Sequence, residues 1–481
     1  MIIFRFYFVL SITLSFFLFF SYYYQIIPDF LLGVVSQDAL LVDFNSIFND
    51  GGSARSLGYR YMQSVFSNLV TEDRQIFIFF QVWLFFISGL FLFKQFYFLT
   101  GRKIFSILMF LTVVLNPKIF KYTLMIEEEG VYISLVMFLC ALMIQFCRTI
   151  SWKILALLSL TIGVMISIRP TGYALLPLLP IIFIFYYKHL SINPIHSFMI
   201  VLIPVMSVIS FESYLYHSNS DYQRESTLGV NLLGSIPLIA ENKPENSRFP
   251  ILVDNLYEKG KNVRKLISQA DSFSIAQYLR NEIHPMYHDS GELPGDIRNQ
   301  ITMYKSEFGT RDSITTGVYI EFAKENPVET LKHIALTFIG HWQISEILNS
   351  EDWKKLSQDL NTHTLKNTQE VIYVQKHMKV IKHYTSIISW VKLLFVLILL
   401  LCIYLFIVGL TDWNREKDKL SYSATTGFLS LILPLLIFGY ILLLSIVINV
   451  QVRLVFTYWP LMVLILFLFL LRVLDLKKDK T

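Results

Sequence analysis

Long apolar runs recur along this 481-residue chain, and no other feature constrains its fold as strongly. A run of about 20 apolar residues crosses a bilayer as a helix, because lipid leaves every backbone N–H and C=O to be satisfied within the segment. Read by apolar length, the sequence predicts roughly ten spans, near residues 2–26, 76–99, 104–120, 130–147, 152–168, 173–187, 197–215, 385–410, 425–450 and 454–473. Composition agrees with this reading. The chain is 54% hydrophobic and 16% charged, whereas a soluble protein carries about a quarter of its residues as charges. The expected fold is an all-α polytopic membrane protein.

The charges between the runs supply a topology. Lys94 with Arg102 and Lys103, Arg148 with Lys153, Lys188 with His189, Arg415 with Lys417 and Lys419, and the terminal Lys477, Lys478 and Lys480 all alternate onto one side. The N-terminus falls on the same side, which the positive-inside rule makes cytoplasmic. Met1 to Tyr24 lacks a small-residue cleavage site after its apolar core, so it reads as a retained span rather than a signal peptide. The net charge of +5 sits at loop ends and gives no argument for a nucleic-acid partner.

Three parts follow. Residues 1–215 form an N-terminal transmembrane module whose first outer loop covers 28–74. Residues 216–384 form a long extracytoplasmic segment of mixed or helical structure. Residues 385–481 hold the C-terminal spans and a cytoplasmic tail. Within the outer segment, 327–347 is apolar but interrupted by Lys332, His333, Gly340 and His341. A crossing there would put the lysine-rich tail outside, so the stretch reads as an interfacial amphipathic helix. Cys140, Cys147 and Cys402 lie in or beside apolar runs without metal-ligand spacing, and the outer segment has no cysteine to form a disulfide.

This topology sets Asp38, Asp43, Asp50, Arg55, Glu127, Glu128, Glu129, Arg169 and Arg453 on the outer face at the bilayer edge. Ionisable groups there pair with one another or line a wet cavity, so a polar cleft between spans is expected. Each residue also has an ordinary structural reading. The aspartates suit helix caps, the glutamates suit a helix N-terminus, and the arginines suit headgroup contact. Successive helical residues point about 100° apart, so at most one or two of Glu127, Glu128 and Glu129 can face a common cleft. Arg169 precedes Pro170, Thr171 and Gly172, where the helix should break. Its planar fork suits a phosphate.

In this order the elements resemble the GT-C superfamily of polyprenyl-phosphate-sugar-dependent glycosyltransferases, which includes protein mannosyltransferases and aminoarabinose transferases. The resemblance rests on Ser36-Gln37-Asp38, on Asn49-Asp50-Gly51-Gly52, and on Ala54-Arg55-Ser56-Leu57-Gly58-Tyr59. Asn116-Pro117 with Ile126-Glu127, Arg169-Pro170-Thr171-Gly172, the stretch Glu325 to Leu331, and Arg453 with Pro460 follow the same order. The chain departs from the pattern at Gln37, where many relatives carry a second acid, and at Leu57 and Arg60, where several carry proline.

The resemblance implies a GT-C-like bundle and a glycosyltransferase of the hexosyl or pentosyl kind. It would move a sugar from a polyprenyl-phosphate donor to a hydroxyl of a glycan, lipid or protein. Asp38 would be the general base, with Asp43 the other carboxylate for that role. Arg169, Arg453 and Arg55 would steady the leaving phosphate. Glu127, Glu128 and Tyr59 would orient substrate. A single displacement would invert the anomeric centre. The resemblance calls for no cofactor and leaves a divalent metal open. No nucleotide-binding fingerprint occurs. The expected setting is the bacterial inner membrane among its lipids, with both termini cytoplasmic and the site extracytoplasmic. Two rival readings are an O-antigen polymerase or ligase, for which His284, His288, His333 and His341 are outer-face candidates, and a lipid-linked sugar flippase or transporter.

Overall fold

An uninterrupted apolar helix, Glu128–Thr149, organises the transmembrane half of the chain. It starts with Glu128 and Glu129 and ends with Arg148, so its terminal charges oppose the helix dipole. In the computed structural model, residues 9–15, 57–70, 74–124, 128–186, 193–217, 227–268, 295–343, 396–413, 422–447 and 457–478 are the described ones. Among them the secondary structure is helical, without strands.

In chain order the helices are α1 (Leu57–Leu69), α2 (Arg74–Thr100), α3 (Lys103–Val114), α4 (Pro117–Leu124), α5 (Glu128–Thr149), α6 (Trp152–Ile168), α7 (Leu178–Tyr186) and α8 (Pro194–His217). Then come α9 (Thr227–Ile239), α10 (Pro250–Ser268), α11 (Gly295–Phe308), α12 (Arg311–Glu325), α13 (Pro327–Gln343), α14 (Val396–Trp413), α15 (Tyr422–Val447) and α16 (Trp459–Lys478). The chain divides into two units. One is Met1–Gln223, Leu400–Tyr440 and Arg453–Thr481; the other is Arg224–Leu399 and Ile441–Val452.

Among the described residues, four helical stretches are long and apolar enough to cross a bilayer: Gln75–Thr100, Glu128–Thr149, Val396–Trp413 and Ser423–Ile446. Shorter apolar helices occupy Lys103–Val114, Trp152–Ile168, Thr171–Ile184, Ile195–Phe211 and Trp459–Leu474. The expected span at 104–120 is not one helix. It stops at Leu115 and restarts at Pro117, because proline offers no N–H to continue the ladder.

In the first unit, glycines set how closely helices approach. A Cβ on Gly163 would lie 3.1 Å from the Val205 backbone, so α6 and α8 pack with little between them. Ser159 donates across the same seam to the Val201 carbonyl. A Cβ on Gly409 would lie 2.7 Å from Leu431 N, which marks a similar seam between α14 and α15.

Polar side chains gather towards one end of these helices. Arg148 donates to Gln95 at 3.3 Å, Thr425 donates to the Cys147 carbonyl at 3.4 Å, and Arg472 pairs with Asp412 at 2.6 Å and donates to Ser430 at 3.3 Å. Contacts at both ends make α15 antiparallel to α5. Thr425 meets the last turn of α5, while Tyr440 reaches the Tyr458 ring, whose hydroxyl meets Tyr132 in the first turns of α5. Cys140, Cys147 and Cys402 are buried and free.

The second unit has ordinary soluble chemistry. Leu233, Ile236, Phe249, Leu252, Leu256, Ile314, Val318 and Phe322 pack in one core contributed by α9 to α12. Thr310 caps α12 by accepting from Ser313 N at 3.3 Å. Gly309 ends α11 with φ +82°, a conformation that favours glycine, and so permits the tight turn into α12. Asn326 ties the α12–α13 junction to the α9–α10 connection. Its Oδ1 accepts from Asn242 N at 2.6 Å, and its Nδ2 donates to the Asn242 carbonyl at 2.9 Å.

Candidate functional site

The helix break expected at Pro170 is present and positions the only described arginine of the expected phosphate-binding set. Helix α6 stops at Ile168. Arg169 is extended at φ −150° and ψ 124°, and Pro170 opens a 3-10 turn through Leu175. Proline is suited to that first position, where no N–H is needed. Gly172 folds the turn back on α6; a Cβ there would lie 2.8 Å from Ile166 N. A larger residue would push the turn, and Arg169 with it, off the end of α6.

From this corner the Arg169 side chain reaches the start of α5. Its Nη2 lies 3.2 Å from Glu129 Oε1, and its Nε lies 3.6 Å from Glu128 Oε1. Arg169 and Glu129 are buried, and Glu128 is largely so. Both acids therefore meet the arginine although they are consecutive in sequence. They sit in the first turn, where long side chains can converge from either side of an approaching cation.

Gly130 makes the approach of α4 to this end possible, because a Cβ there would lie 2.7 Å from the Tyr122 carbonyl. The remaining guanidinium nitrogen, Nη1, is buried without a hydrogen-bond partner. An open donor on a buried guanidinium is costly unless something completes it.

Three tyrosines that the sequence reading did not single out line the same place. The hydroxyls of Tyr132 and Tyr458 are 2.7 Å apart. The Tyr458 ring stacks on Tyr440 with centroids 3.6 Å apart, and the Tyr440 hydroxyl lies 3.2 Å from Thr457 Oγ1. Arg169 is close enough to Tyr132, Tyr440 and Tyr458 to act on them electrostatically. Thr171 Oγ1 is near the hydroxyls of Tyr132 and Tyr440 without completing a hydrogen bond. Trp459 Nε1 donates to the Thr112 carbonyl at 3.1 Å and anchors the start of α16 to α3.

One signal for Tyr132 was available in the sequence. It lies one helical turn after Glu128 and Glu129 and so shares their side of α5. Tyr440 and Tyr458 had no comparable signal.

Tyr59 has a different partner. Its hydroxyl donates to Gln81 Oε1 at 3.0 Å, and its ring meets Phe77 edge-on. Helix α1 nonetheless comes close to the arginine corner. Gly58 rests against Ser167, where an added Cβ would lie 2.6 Å from the Ser167 carbonyl carbon. Beside this contact is an apolar cavity of about 450 Å³ between α1, α2, α6 and α8. Tyr61, Phe66, Phe80, Ile168 and Phe211 are among its walls, and Ile168 is the residue before Arg169.

Asp38, Asp43, Arg55, Glu127 and Arg453 lie outside the described residues. The expected cleft is thus represented by Arg169, Glu128 and Glu129, and this part is a buried polar knot rather than an open wet groove. Among the described residues, no three His, Cys, Asp or Glu side chains gather in a way that could hold a metal ion. No protein-family model, curated protein or solved structure matches the chain.

Proposed function

We propose that this protein is a membrane glycosyltransferase that takes a sugar from a polyprenyl-phosphate donor and passes it to an acceptor hydroxyl. In this reading the protein is a GT-C-like bundle of roughly ten spans, with both termini cytoplasmic and the reaction on the outer face of a bacterial inner membrane. The observation that carries the proposal is the free Nη1 of Arg169. Glu128 and Glu129 hold the rest of the guanidinium, so its direction is set before any ligand arrives. A phosphate oxygen is the natural acceptor for that donor, because charge-assisted bonds from arginine to phosphate are strong and directional.

The neighbouring chemistry suits a lipid-linked donor. The apolar cavity has Ile168 among its walls and has the character needed for part of an isoprenoid chain. Tyr132, Tyr440 and Thr171 supply hydroxyls of the kind that bind sugars. As the glycosidic bond breaks, negative charge grows on the leaving phosphate, and Arg169 stabilises it. Arg453 and Arg55 are proposed to assist, with Glu127, Glu128 and Tyr59 orienting substrate. Asp38 takes the proton from the acceptor hydroxyl, with Asp43 the substitute base. Attack from the face opposite the phosphate inverts the anomeric carbon.

The test is transfer of labelled sugar from a polyprenyl-phosphate donor by membranes containing the full chain. Single-sugar addition to a glycan, lipid or protein is expected. Asp38→Asn should abolish transfer while expression and insertion persist, and near-normal transfer by that variant would remove Asp38 from the role of base. Chain extension of an O-antigen would instead indicate a polymerase. Passage of the lipid-linked sugar across the bilayer without transfer would indicate a flippase.

A further inference from the structure

Helix α13 buries the wrong face for a helix surrounded by water. At about 100° per residue, Val328, Leu331, Lys332, Ala335 and Ile339 fall within an arc of about 100° on one side. All five are exposed, with Val328 at 73%, Leu331 at 67% and Ile339 at 44%. The opposite side carries His333, Thr337 and Gly340, and these are buried. Thr337 Oγ1 is buried without a hydrogen-bond partner. An amphipathic helix on a soluble domain normally turns its aliphatic side to the core and its hydroxyls to water. Its neighbour α12 obeys that rule, with Ile314, Val318 and Phe322 inside.

Two further facts bear on what the stripe meets. The first is chain length. Helix α8, an apolar helix that exposes Phe198, Met199, Leu202, Ile203 and Met206, ends at His217, and α9 begins at Thr227. A connection that short reaches at most about 35 Å when fully extended, so the chain enters α9 within that reach of an apolar helix. The second is the charge on the stripe. Lys332 lies among the aliphatic residues and is 3.3 Å from Glu329 on the flank. A lysine within an aliphatic stripe suits the boundary between headgroups and acyl chains, where its stem is buried and its ammonium meets phosphate.

We infer that the Val328, Leu331, Ala335 and Ile339 stripe of α13 lies flat in the headgroup–acyl boundary of the bilayer that holds the chain's own spans. The helix would rest about 5–10 Å into the boundary. This inference is independent of the glycosyltransferase reading, since it requires neither a donor nor Arg169.

The test uses the full chain in vesicles of phosphatidylcholine and phosphatidylglycerol. An environment-sensitive fluorophore is attached at Leu331→Cys, at Ile339→Cys and at the control Glu258→Cys, on an exposed polar face of α10. The three native cysteines are buried and are left in place, with unsubstituted chain as the labelling blank. Spin-labelled lipids carry the quencher either near the headgroup or near the bilayer centre.

The expected result is strong quenching at Leu331→Cys and Ile339→Cys by the shallow quencher, weaker quenching by the deep one, and none at Glu258→Cys. Absence of lipid quenching at both stripe positions would overturn the inference, as would stronger quenching by the deep label, which would mean that α13 spans. Protection from water without lipid quenching, together with crosslinking between copies, would assign the stripe to a second protein chain and also overturn it. If either stripe variant fails to assemble, as judged by gel filtration, Val328→Cys replaces it.

Discussion

The corner around Arg169 and the core around Leu252 bury opposite kinds of side chain. In the first, apolar helices enclose an arginine, two glutamates and three tyrosine hydroxyls. In the second, α9 to α12 enclose Leu233, Ile236, Leu252, Leu256 and Phe322, and the charges of α10 and α11 pair at the surface, as Lys259 does with Asp296 at 2.9 Å. The difference follows from the solvent each region is built for. Lipid offers no partner to a charge and gives no hydrophobic reason for helices to associate, so polar groups turn inward and tie helices together. Water rewards the reverse. Helix α13 departs from its own region's pattern, which is why its exposed stripe is informative.

The comparison can be broken most forcefully at Arg169. Arg169→Ala would leave Glu129 buried without its cation, a change that typically costs about 3–5 kcal/mol. The expected outcome is a large fall in the thermal midpoint of the purified protein in detergent. Arg169→Lys keeps the charge but loses the fork, so a smaller fall is expected. An unchanged midpoint for the alanine variant would mean that the polar knot does not hold these helices together.

A comparable loss should come from the other region for an unrelated reason. Leu252→Ala removes a fully buried side chain from the core of the second unit, and such truncations cost about 2–5 kcal/mol. Added salt should leave both losses unchanged. A cavity in an apolar core is insensitive to ionic strength, and so is the deeply buried Arg169 pair, whereas surface pairs weaken with salt. A Leu252→Ala midpoint equal to the parent's would show that the cluster is not a cooperative core.

The smallest expected effect concerns Asp296. Hydrogen bonds from Asn255 at 2.6 Å and from Lys259 hold its carboxyl below the usual carboxylate range. Because the folded value is the lower one, this contribution is full above the unfolded value near ~3.9 and is lost as pH falls through the folded value. Exposed pairs of this kind are worth about 0.2–1 kcal/mol. Asp296→Asn should therefore lower the midpoint slightly at neutral pH and match the parent in strong acid. A difference that persists in acid would point to a packing effect instead.

Some of this could be read from residue order. The apolar runs required helices in a bilayer, and Pro170 with Gly172 marked where α6 ends. Proline at 117 also carried the signal for the break that divides 104–120, but apolar length alone hid it. The candidate site was less legible. Arg169 and Glu128 could be suspected of meeting because the expected topology sets the end of α6 and the start of α5 on the same side of the bilayer. Tyr440 and Tyr458 could not, because a tyrosine in an apolar run gives no sign of which neighbour its hydroxyl will meet.

The sequence alone therefore determined that this chain is helical and membrane-embedded, since the cost of unsatisfied backbone groups in lipid depends only on local composition. Only the tertiary structure decided that Glu129, Arg169, Tyr132 and Tyr458 meet. Their contacts join residues up to 326 positions apart, and which helices become neighbours depends on packing allowed by glycines such as Gly130 and Gly163. Only the tertiary structure, too, showed α13 with its apolar stripe outward. The stripe is visible in the sequence, but which side a helix buries is set by what packs against it.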